Sequence, residues 1–269
     1  MSTNTLKYFF TLLFFALPIQ AQMNYFDWNT VLHMPPGANI KVGNQILHFN
    51  PSNKPYLKDA TATKFVNTHL SQAKKVESDA EALKMASDLV CLDGAFIELG
   101  VCTGKTINFI AALNPHKKIF GFDSFEGLPE DWVRQDNTMP KGTFGYKNPM
   151  MLPPVLHNVV LIKGWFKETL PIFVQEYLKN TPIAFLHVDS DIYSSAITAL
   201  KTLKNNIQEG TVIIFDEFYN YPGSEDHELK AFNEFLETIN LQAKYCAFNI
   251  NHEQVVVQMV NTANQIKKN

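Results

Sequence analysis

Four acidic residues follow two short apolar runs of the chain and together could bind a metal ion. Asp189 and Asp191 come directly after one run, and Asp216 and Glu217 come directly after the other. If both runs are parallel strands, the four carboxylates meet at one rim of the sheet. Crowded carboxylates repel one another unless protons or a cation offset their charge, and ligands that are all oxygen suit Mg²⁺. The sequence therefore predicts a magnesium site.

The alternative is that these acids cap the helices that follow each strand, a frequent use of aspartate at strand-to-helix turns. A single acid would fit that alternative. Four acids at two matched strand ends favour the metal. His187 precedes the cluster and lies within a predicted strand, so we interpret it as a structural histidine rather than a ligand.

A loop with two glycines follows an earlier apolar run and is the predicted cofactor site. The segment Phe96–Thr106 runs from a buried strand through Gly100 and Gly104 into an apolar helix. In open α/β sheets ligands bind at the carboxyl ends of the strands, where glycine lets the backbone approach them. A Walker phosphate loop would need glycine at Leu99, and a dinucleotide fingerprint would need glycine at Cys102. The loop therefore matches neither nucleotide motif.

The order Glu-x-Gly-x-x-x-Gly in this loop resembles the first motif of class I S-adenosylmethionine-dependent methyltransferases. The resemblance implies that the glycines leave room for the methionine part of the cofactor. Asp123 ends the next apolar run, where an acidic side chain can accept hydrogen bonds from both ribose hydroxyls. The alternative for Asp123 is a role as a turn or helix-cap residue.

A third loop, Lys163–Pro171, could offer apolar and backbone contacts to the adenine ring of the cofactor. Trp165 in this loop could equally be a core aromatic residue. The expected cofactor contacts, taken over all these loops, are Glu98, Gly100, Gly104, Thr106, Asp123, Ser124, Gly164, Trp165 and Asp189.

The loops are carried by short apolar runs, most of which are followed by a segment that can form a helix. The runs are Ala95–Leu99, Ile119–Phe122, Val159–Ile162, Ala184–Val188 and Val212–Phe215. Alternating β and α elements predict a mostly parallel sheet with helices on both faces. Two later β-rich runs predict a C-terminal antiparallel hairpin, and these runs are Ala243–Asn249 and Gln254–Val260. The expected fold class is α/β, a Rossmann-like class I methyltransferase fold with a seven-stranded sheet.

The N-terminal part lies outside that alternation. Residues 1–21 have the layout of a secretory signal or a membrane anchor, and residues 6–19 are expected to contact a membrane. The alternative is a helix that packs on the protein itself. Residues 22–90 are predicted to form an irregular cap and then one or two amphipathic helices over Phe65–Leu89. Residues 91–262 are the predicted S-adenosylmethionine-dependent methyltransferase domain.

Composition and the N-terminal segment limit the partners and the location. The formal net charge is −3 and no run of Lys and Arg forms a locally positive surface, so nucleic acid is not an expected partner.

Three widely spaced cysteines indicate neither a disulfide framework nor a zinc knuckle. The signal-like start favours export or membrane association, whereas use of S-adenosylmethionine favours the cytoplasm. Both locations stay open, as does a homo-oligomer.

Several segments jointly resemble the macrocin O-methyltransferase family of metal-dependent sugar O-methyltransferases. They are Asp123–Pro129, Gly164-Trp165-Phe166 with Thr169-Leu170-Pro171, Asp189–Tyr193, and Asp216-Glu217 leading to Tyr221-Pro222-Gly223. The resemblance covers roughly Phe96 to Phe235. It implies a Rossmann-like fold, S-adenosylmethionine as the methyl donor, Mg²⁺, and a hydroxyl acceptor, often on a sugar.

The resemblance also implies roles for the acidic residues of this chain. Asp189, Asp216 and Glu217 would hold Mg²⁺. Asp191 is the leading candidate for the general base, with Asp189 as the second catalytic residue. The family usually has two aspartates where this chain has Asp216-Glu217, so Glu217 is the least secure of the three ligands.

Two other functions fit the same residues. One is a non-catalytic cofactor-binding protein of the same fold, although a binding protein has no need to crowd acids. The other is a methyltransferase for catechol-like phenols. An aromatic slot beside the metal would indicate a phenol acceptor, and a polar open slot would indicate a sugar or polyol. The segment Glu130–Pro154 is long and irregular enough to be the acceptor-facing loop.

Overall fold

One eight-stranded sheet organises the molecule and brings the predicted site loops to a common rim. The structure is a computed structural model that describes residues 39–42, 45–48, 60–146 and 152–261. The strands of the sheet are β3 (Lys74–Val76), β4 (Ala95–Leu99), β5 (Ile119–Asp123), β8 (Val159–Lys163), β9 (Ile183–Val188), β10 (Val212–Phe215), β11 (Leu241–Asn249) and β12 (Val255–Asn261). Two short hairpins pair β1 (Asn39–Val42) with β2 (Gln45–His48) and β6 (Trp132–Val133) with β7 (Thr138–Met139).

The sheet is parallel except for one strand. Its order is β3-β11-β12-β10-β9-β4-β5-β8, and only β12 runs antiparallel to its neighbours β10 and β11. The predicted C-terminal hairpin is therefore confirmed as β11 and β12. Parallel central strands are buried on both faces, which explains why they were readable as continuous apolar runs.

Helices cover both faces of the sheet. They are α1 (Ala60–Phe65), which continues as a π-helical turn over Val66–Leu70, α2 (Asp79–Asp88), α3 (Lys105–Leu113), α4 (Phe166–Phe173), which continues as a π-helical turn over Val174–Leu178, α5 (Tyr193–Leu203) and α6 (Glu228–Leu236). Short 3₁₀ turns follow α5 at Lys204–Asn206 and precede α6 at Ser224–Asp226.

Alternate residues of each central strand point to opposite faces of the sheet. In β4, Ile97 and Leu99 pack in the core beneath α4, α5 and α6, whereas Phe96 packs in the core beneath α2 and α3. β10 divides in the same way, with Ile213 in the first core and Ile214 in the second. The result is the three-layer α/β/α arrangement that the sequence predicted.

The structure differs from the sequence-based expectation in the number of strands. Lys74–Val76 forms an eighth strand, β3, parallel to β11, inside the stretch Phe65–Leu89 that was predicted to be helical. Only Val76 of this strand is buried, so its helix-like spacing of apolar residues gave no sign of a strand. The predicted irregular cap includes the short hairpin β1–β2.

The predicted signal or anchor, residues 1–21, lies outside the described residues, and so does the expected membrane contact of residues 6–19. Within the described ranges, no helix is both long enough and apolar enough to cross a membrane. The assigned domain limits and a homo-oligomer stay predictions.

Candidate active site

The hydrogen bonds of the sheet continue one residue past the ends of β9 and β10 and align the site loops. The Asp189 amide donates to the Leu99 carbonyl at 2.9 Å, and the Asp216 amide donates to the Val188 carbonyl at 2.9 Å. The ends of β4, β9 and β10 therefore lie side by side. The glycine loop, the Asp189–Asp191 loop and the Asp216-Glu217 pair meet at one rim, as the sequence predicted.

Gly100 is the point where the cofactor loop touches the acidic loop. Its φ of +93° lies in the left-handed region, and a Cβ atom there would overlap the backbone oxygen of Asp189 and lie 2.8 Å from the Asp189 carbonyl carbon. The missing side chain of Gly100 thus makes room for the neighbouring strand end. Gly104, with φ +83°, is the N-cap of α3.

Asp123 shapes the glycine loop. Its Oδ2 atom accepts hydrogen bonds from the amides of Val101 and Cys102 at 2.8 and 2.7 Å, and its Oδ1 atom accepts from the Phe125 amide at 2.6 Å. A carboxylate fixed by three backbone amides has a defined orientation. Asp123 also lines the site cavity, which agrees with a role in cofactor binding.

A cavity of about 580 Å³ joins the cofactor loops to the acidic loops. It is large enough for a small organic ligand. Among the predicted cofactor contacts, its lining includes Gly100, Asp123, Ser124, Gly164, Trp165 and Asp189. It also includes Asp191 and Glu217. The cavity thus brings together predicted cofactor residues, the predicted base and two predicted metal ligands.

Three of the expected cofactor contacts do not line the cavity, and these are Glu98, Gly104 and Thr106. The Thr106 hydroxyl donates to Glu98 Oε1, and His187 Nδ1 lies 3.0 Å from the same oxygen. Glu98 and His187 are completely buried. The hydrogen bonds among Thr106, Glu98 and His187 link the start of α3 to β4 and β9 beneath the glycine loop. His187 is buried in β9, as expected for a structural histidine.

Asp189, Asp216 and Glu217 are placed to hold a metal ion. One carboxylate oxygen from each lies within 4.8 Å of the other two. Glu217 Oε2 is buried and has no protein hydrogen-bond partner. A group of three carboxylates, one of which has a buried oxygen without a partner, fits a hard cation such as Mg²⁺. Glu217 was the least certain of the three ligands predicted from the sequence, and its carboxylate lies with those of Asp189 and Asp216.

Burial and mutual repulsion set the charge state of this cluster. Burial, and then the charge of Asp216, raises the pKa of Asp189 and Glu217 well above the ordinary value. Burial also acts to raise the pKa of Asp216, but the His187 imidazole outweighs it and holds that pKa well below its usual range. His187 Nε2 lies 3.8 Å from Asp216 Oδ1. Burial opposes the charged imidazole, yet Asp216 and Glu98 raise the pKa of His187 well above normal. The buried cation thus offsets part of the negative charge.

Asp191 has an uncommon backbone conformation for an aspartate. Its φ is +62°, and a non-glycine residue in this region persists only where the surroundings hold it. The next residue, Ile192, is buried in a small cluster with Leu128, Trp132 and Tyr221. Burial, followed by the charges of Asp216 and other nearby acids, raises the pKa of Asp191 to about 7. Strained backbone and a cavity position single out Asp191 from the other acids.

The loop predicted to face the acceptor is anchored over this rim. The Arg134 guanidinium lies 4.0 Å from the centre of the Tyr221 ring, and its Nη2 atom lies 3.1 Å from Glu253 Oε1. Lys141 and Phe144 of this loop line the cavity. Residues 147–151 of the predicted segment Glu130–Pro154 lie outside the described ranges.

Sequence reasoning missed several residues of the site. Arg134 lies within the predicted segment Glu130–Pro154, but its contacts with Tyr221 and Glu253 were not predicted. Glu228, which makes hydrogen bonds to both acidic loops, was not predicted at all. A row of hydroxyl side chains on α5 also lines the cavity, and its members are Ser194, Ser195 and Thr198. Their position just after Asp189–Tyr193, on one face of a helix, was the available signal for the hydroxyl row. Arg134 and Glu228 carried no local signal.

Without a metal ion, the protein is expected to lose stability as the pH rises from 6 to 8. Burial raises the pKa of Asp191 to about 7 and that of Glu228 to about 8. The unfolded chain releases both protons near pH 4, so the folded chain holds more protons between about pH 4 and 8 and the free energy of unfolding falls. The lowered pKa of Asp216 opposes this only below about pH 4.

Thermal unfolding in EDTA at the two pH values measures this effect. The melting temperature should be lower at pH 8 than at pH 6. Added Mg²⁺ should raise the melting temperature more at pH 8, because the cation stabilises the ionised acids. A Glu217→Gln variant should show a smaller drop, because it removes a further buried acid whose pKa is raised in the folded chain and which therefore holds a proton that the unfolded chain has released. Equal melting temperatures at both pH values in EDTA would contradict the prediction.

Comparison with known proteins identifies the domain. Residues 97–218 match the family described as a methyltransferase domain, which confirms the predicted class of enzyme. No curated protein matches the chain. The solved structure of the O-methyltransferase NovP is 20% identical, with a TM-score of 0.50 over 68% of this chain and 79% of that chain. The calicheamicin methyltransferase CalS11 is 22% identical, with a TM-score of 0.49 over 75% of this chain and 87% of that chain. Residues 97–218 are therefore similar to a methyltransferase domain, and the chain has a Rossmann-like methyltransferase fold.

Proposed function

We propose that the protein transfers a methyl group from S-adenosylmethionine to a hydroxyl of a sugar or polyol-like acceptor, with Mg²⁺ bound at the acidic cluster. The observation that carries the proposal is one cavity with two chemically different parts. Gly100 and Asp123 line the predicted cofactor part, and Asp189, Asp191 and Glu217 line the acidic part. A methyl donor and a hydroxyl acceptor bound there would share one cavity. Holding two reactants in the right geometry can lower a reaction barrier by about 7–11 kcal/mol.

The acidic residues have distinct tasks in this proposal. Asp189, Asp216 and Glu217 would hold Mg²⁺, since their oxygens lie within 4.8 Å of one another. When bound, Mg²⁺ supplies positive charge that lowers the pKa of an acceptor hydroxyl and orients it. Glu217 Oε2 is buried and has no protein hydrogen-bond partner, and a bound cation would satisfy it.

Asp191 takes the proton from the acceptor hydroxyl as that oxygen bonds to the methyl carbon and the methyl–sulfur bond breaks, with S-adenosylhomocysteine as the leaving group. Asp191 and Asp189 both line the cavity. The left-handed backbone of Asp191 is fixed on one side by the buried side chain of Ile192. A base held in place in this way needs little reorganisation when the substrate arrives.

The wall next to the acids favours a polyhydroxylated acceptor. Four residues with hydroxyl side chains line it, and these are Ser190, Ser194, Ser195 and Thr198. The hydroxyls of Ser190, Ser194 and Thr198 donate to Glu228, Glu130 and the Ser194 carbonyl, and a hydroxyl that donates in this way can still accept from a sugar hydroxyl. Such a polar wall supports a sugar acceptor, and with it the proposed kinship to the macrocin O-methyltransferases, over a flat phenol.

The aromatic residues of the cavity are nearer to the cofactor loops. Trp165 and Phe166 follow Gly164, and the Phe144 carbonyl accepts a hydrogen bond from the Cys102 thiol at 3.4 Å. Aromatic rings in this part could stack on the adenine of the cofactor. They therefore give a phenol acceptor no specific support.

Calorimetric titration of the purified full chain with S-adenosylmethionine and then MgCl₂ tests the two halves of the site. Methyl transfer to a panel of sugars, nucleotide sugars and catechols then tests the acceptor class. The proposal expects both ligands to bind and sugars to be methylated only with Mg²⁺. Turnover of catechols alone would replace the sugar acceptor with a phenol, and cofactor binding without any turnover would favour a non-catalytic binding protein.

An Asp191→Asn variant is expected to lose about 10²–10⁴-fold in kcat, the usual contribution of general acid–base catalysis. Asparagine keeps the shape of the side chain and tolerates the left-handed backbone, but its amide cannot accept the proton. Single-turnover rates at saturating S-adenosylmethionine and Mg²⁺ measure the loss. A near-normal rate would show that another group is the base.

A further inference from the structure

Glu228 is a buried acid outside the predicted site. It is the first residue of α6 and is completely shielded from solvent. Its Oε1 atom accepts hydrogen bonds from the Ser190 amide at 3.1 Å and from the Ser190 hydroxyl at 3.3 Å. Its Oε2 atom accepts from the Glu217 amide at 3.2 Å. The two oxygens of one carboxylate thus bind two different loops.

Each of these loops carries proposed metal ligands. Ser190 lies between Asp189 and Asp191 at the end of β9, and Glu217 follows Asp216 at the end of β10. Glu228 therefore joins the backbones of the two acidic loops directly, from the side of α6. A rigid carboxylate between two backbone amides fixes their separation, since both hydrogen bonds are satisfied only over a narrow range of distances.

We infer that Glu228 is a positioning residue that sets the separation of the two acidic loops and thereby the affinity of the site for a divalent cation. The inference rests on the proposed Mg²⁺ function. Residues that orient metal ligands typically affect metal affinity by about 10–100-fold, although they do not touch the ion. Glu228 would act in the same way, through Asp189 and Glu217.

Glutamine at this position would break the link without changing its size. Both oxygens of a carboxyl group can accept hydrogen bonds, whereas an amide has one accepting oxygen and one donating nitrogen. In either orientation the amide nitrogen would face a backbone N–H, so one of the loops loses its partner. The Glu228→Gln variant should therefore loosen the pair of loops and leave the cofactor loops unchanged.

The test is calorimetric titration of the full chain with Mn²⁺, and separately with S-adenosylhomocysteine. Glu228→Gln is expected to weaken Mn²⁺ binding by about 10–100-fold with unchanged affinity for S-adenosylhomocysteine. Raising the Mg²⁺ concentration should restore much of its methyl transfer rate, because the defect is in metal affinity. Glu234→Gln is the matched control, since Glu234 is on the same helix but accepts from the Tyr193 hydroxyl at 2.6 Å. Its Mn²⁺ affinity should equal that of the wild type.

The outcomes separate the inference from the proposed function. A wild-type chain that binds S-adenosylhomocysteine but not Mn²⁺ overturns the proposed metal function, and the inference falls with it. Wild-type Mn²⁺ affinity in Glu228→Gln overturns the inference alone. Parallel loss of Mn²⁺ and S-adenosylhomocysteine binding also overturns it, because that pattern indicates a general structural role. If Glu228→Gln does not fold, Glu228→Asp decides in the same assay, since the shorter acid cannot reach both loops at their present distances.

Discussion

An Asp189→Asn variant is expected to show no metal-dependent methyl transfer while still binding S-adenosylhomocysteine. Asp189 contributes one of the three carboxylates grouped within 4.8 Å, and asparagine replaces its charge with a neutral oxygen. The loss in metal affinity should exceed the roughly 10–100-fold typical of residues that only support a ligand. The backbone contact between residue 189 and Gly100 is preserved, so the cofactor loop keeps its shape. Titrations with Mn²⁺ and S-adenosylhomocysteine, and methyl transfer with and without EDTA, measure the two effects.

Asp191→Asn provides the matched comparison, because the same substitution is made two residues along the same loop. It should lose turnover but retain Mn²⁺ binding, whereas Asp189→Asn should lose both. If Asp189→Asn turns over at the wild-type rate and EDTA still inhibits it, Asp189 is not a metal ligand. If EDTA inhibits neither the wild type nor the variant, the reaction proceeds without a metal.

The central strands and the meeting of the acids could be predicted from the sequence because their causes are local. β4 and β10 begin and end at the predicted residues, Ala95–Leu99 and Val212–Phe215. Strands buried on both faces appear as unbroken apolar runs. Because β9 and β10 are parallel neighbours, the acids that follow these two strands must lie at the same rim. The arrangement of the acidic cluster thus follows from chain order.

The parts that could not be predicted depend on partners distant in sequence. β3 has only three residues, two of them exposed lysines, and it is a strand only because it pairs with β11 at the far end of the chain. Glu228 has no sequence relation to Ser190, and only the packing of α6 brings them together. Arg134 is likewise defined by its contacts with Tyr221 and Glu253. Periodicity and motif spacing cannot detect such residues, because the interaction exists only in the folded chain.

The close contact of Gly100 with Asp189 couples the two halves of the site. The Asp189 amide donates to Leu99, and the Asp189 carbonyl lies where a side chain on residue 100 would be. Any shift of this carbonyl would also move the attached Asp189 carboxylate. The glycine expected to make room for the cofactor therefore also fixes the position of a proposed metal ligand.

Gly100→Ala is accordingly expected to abolish cofactor binding and metal binding together. A left-handed backbone costs a non-glycine residue about 1–2 kcal/mol, and forcing a methyl group into a packed site adds about 1–3 kcal/mol or more. Gly210→Ala separates the two costs, because Gly210 has nearly the same φ, +92°, but its new methyl group would come no closer than 3.6 Å to Leu92. Thermal unfolding and titrations with S-adenosylhomocysteine and Mn²⁺ should show a small loss of stability and intact binding in Gly210→Ala. In Gly100→Ala the same measurements should show a larger loss of stability and neither ligand bound. Retention of both ligands by Gly100→Ala would mean that the rim can relax around the methyl group, and the two half-sites would then be independent of this contact.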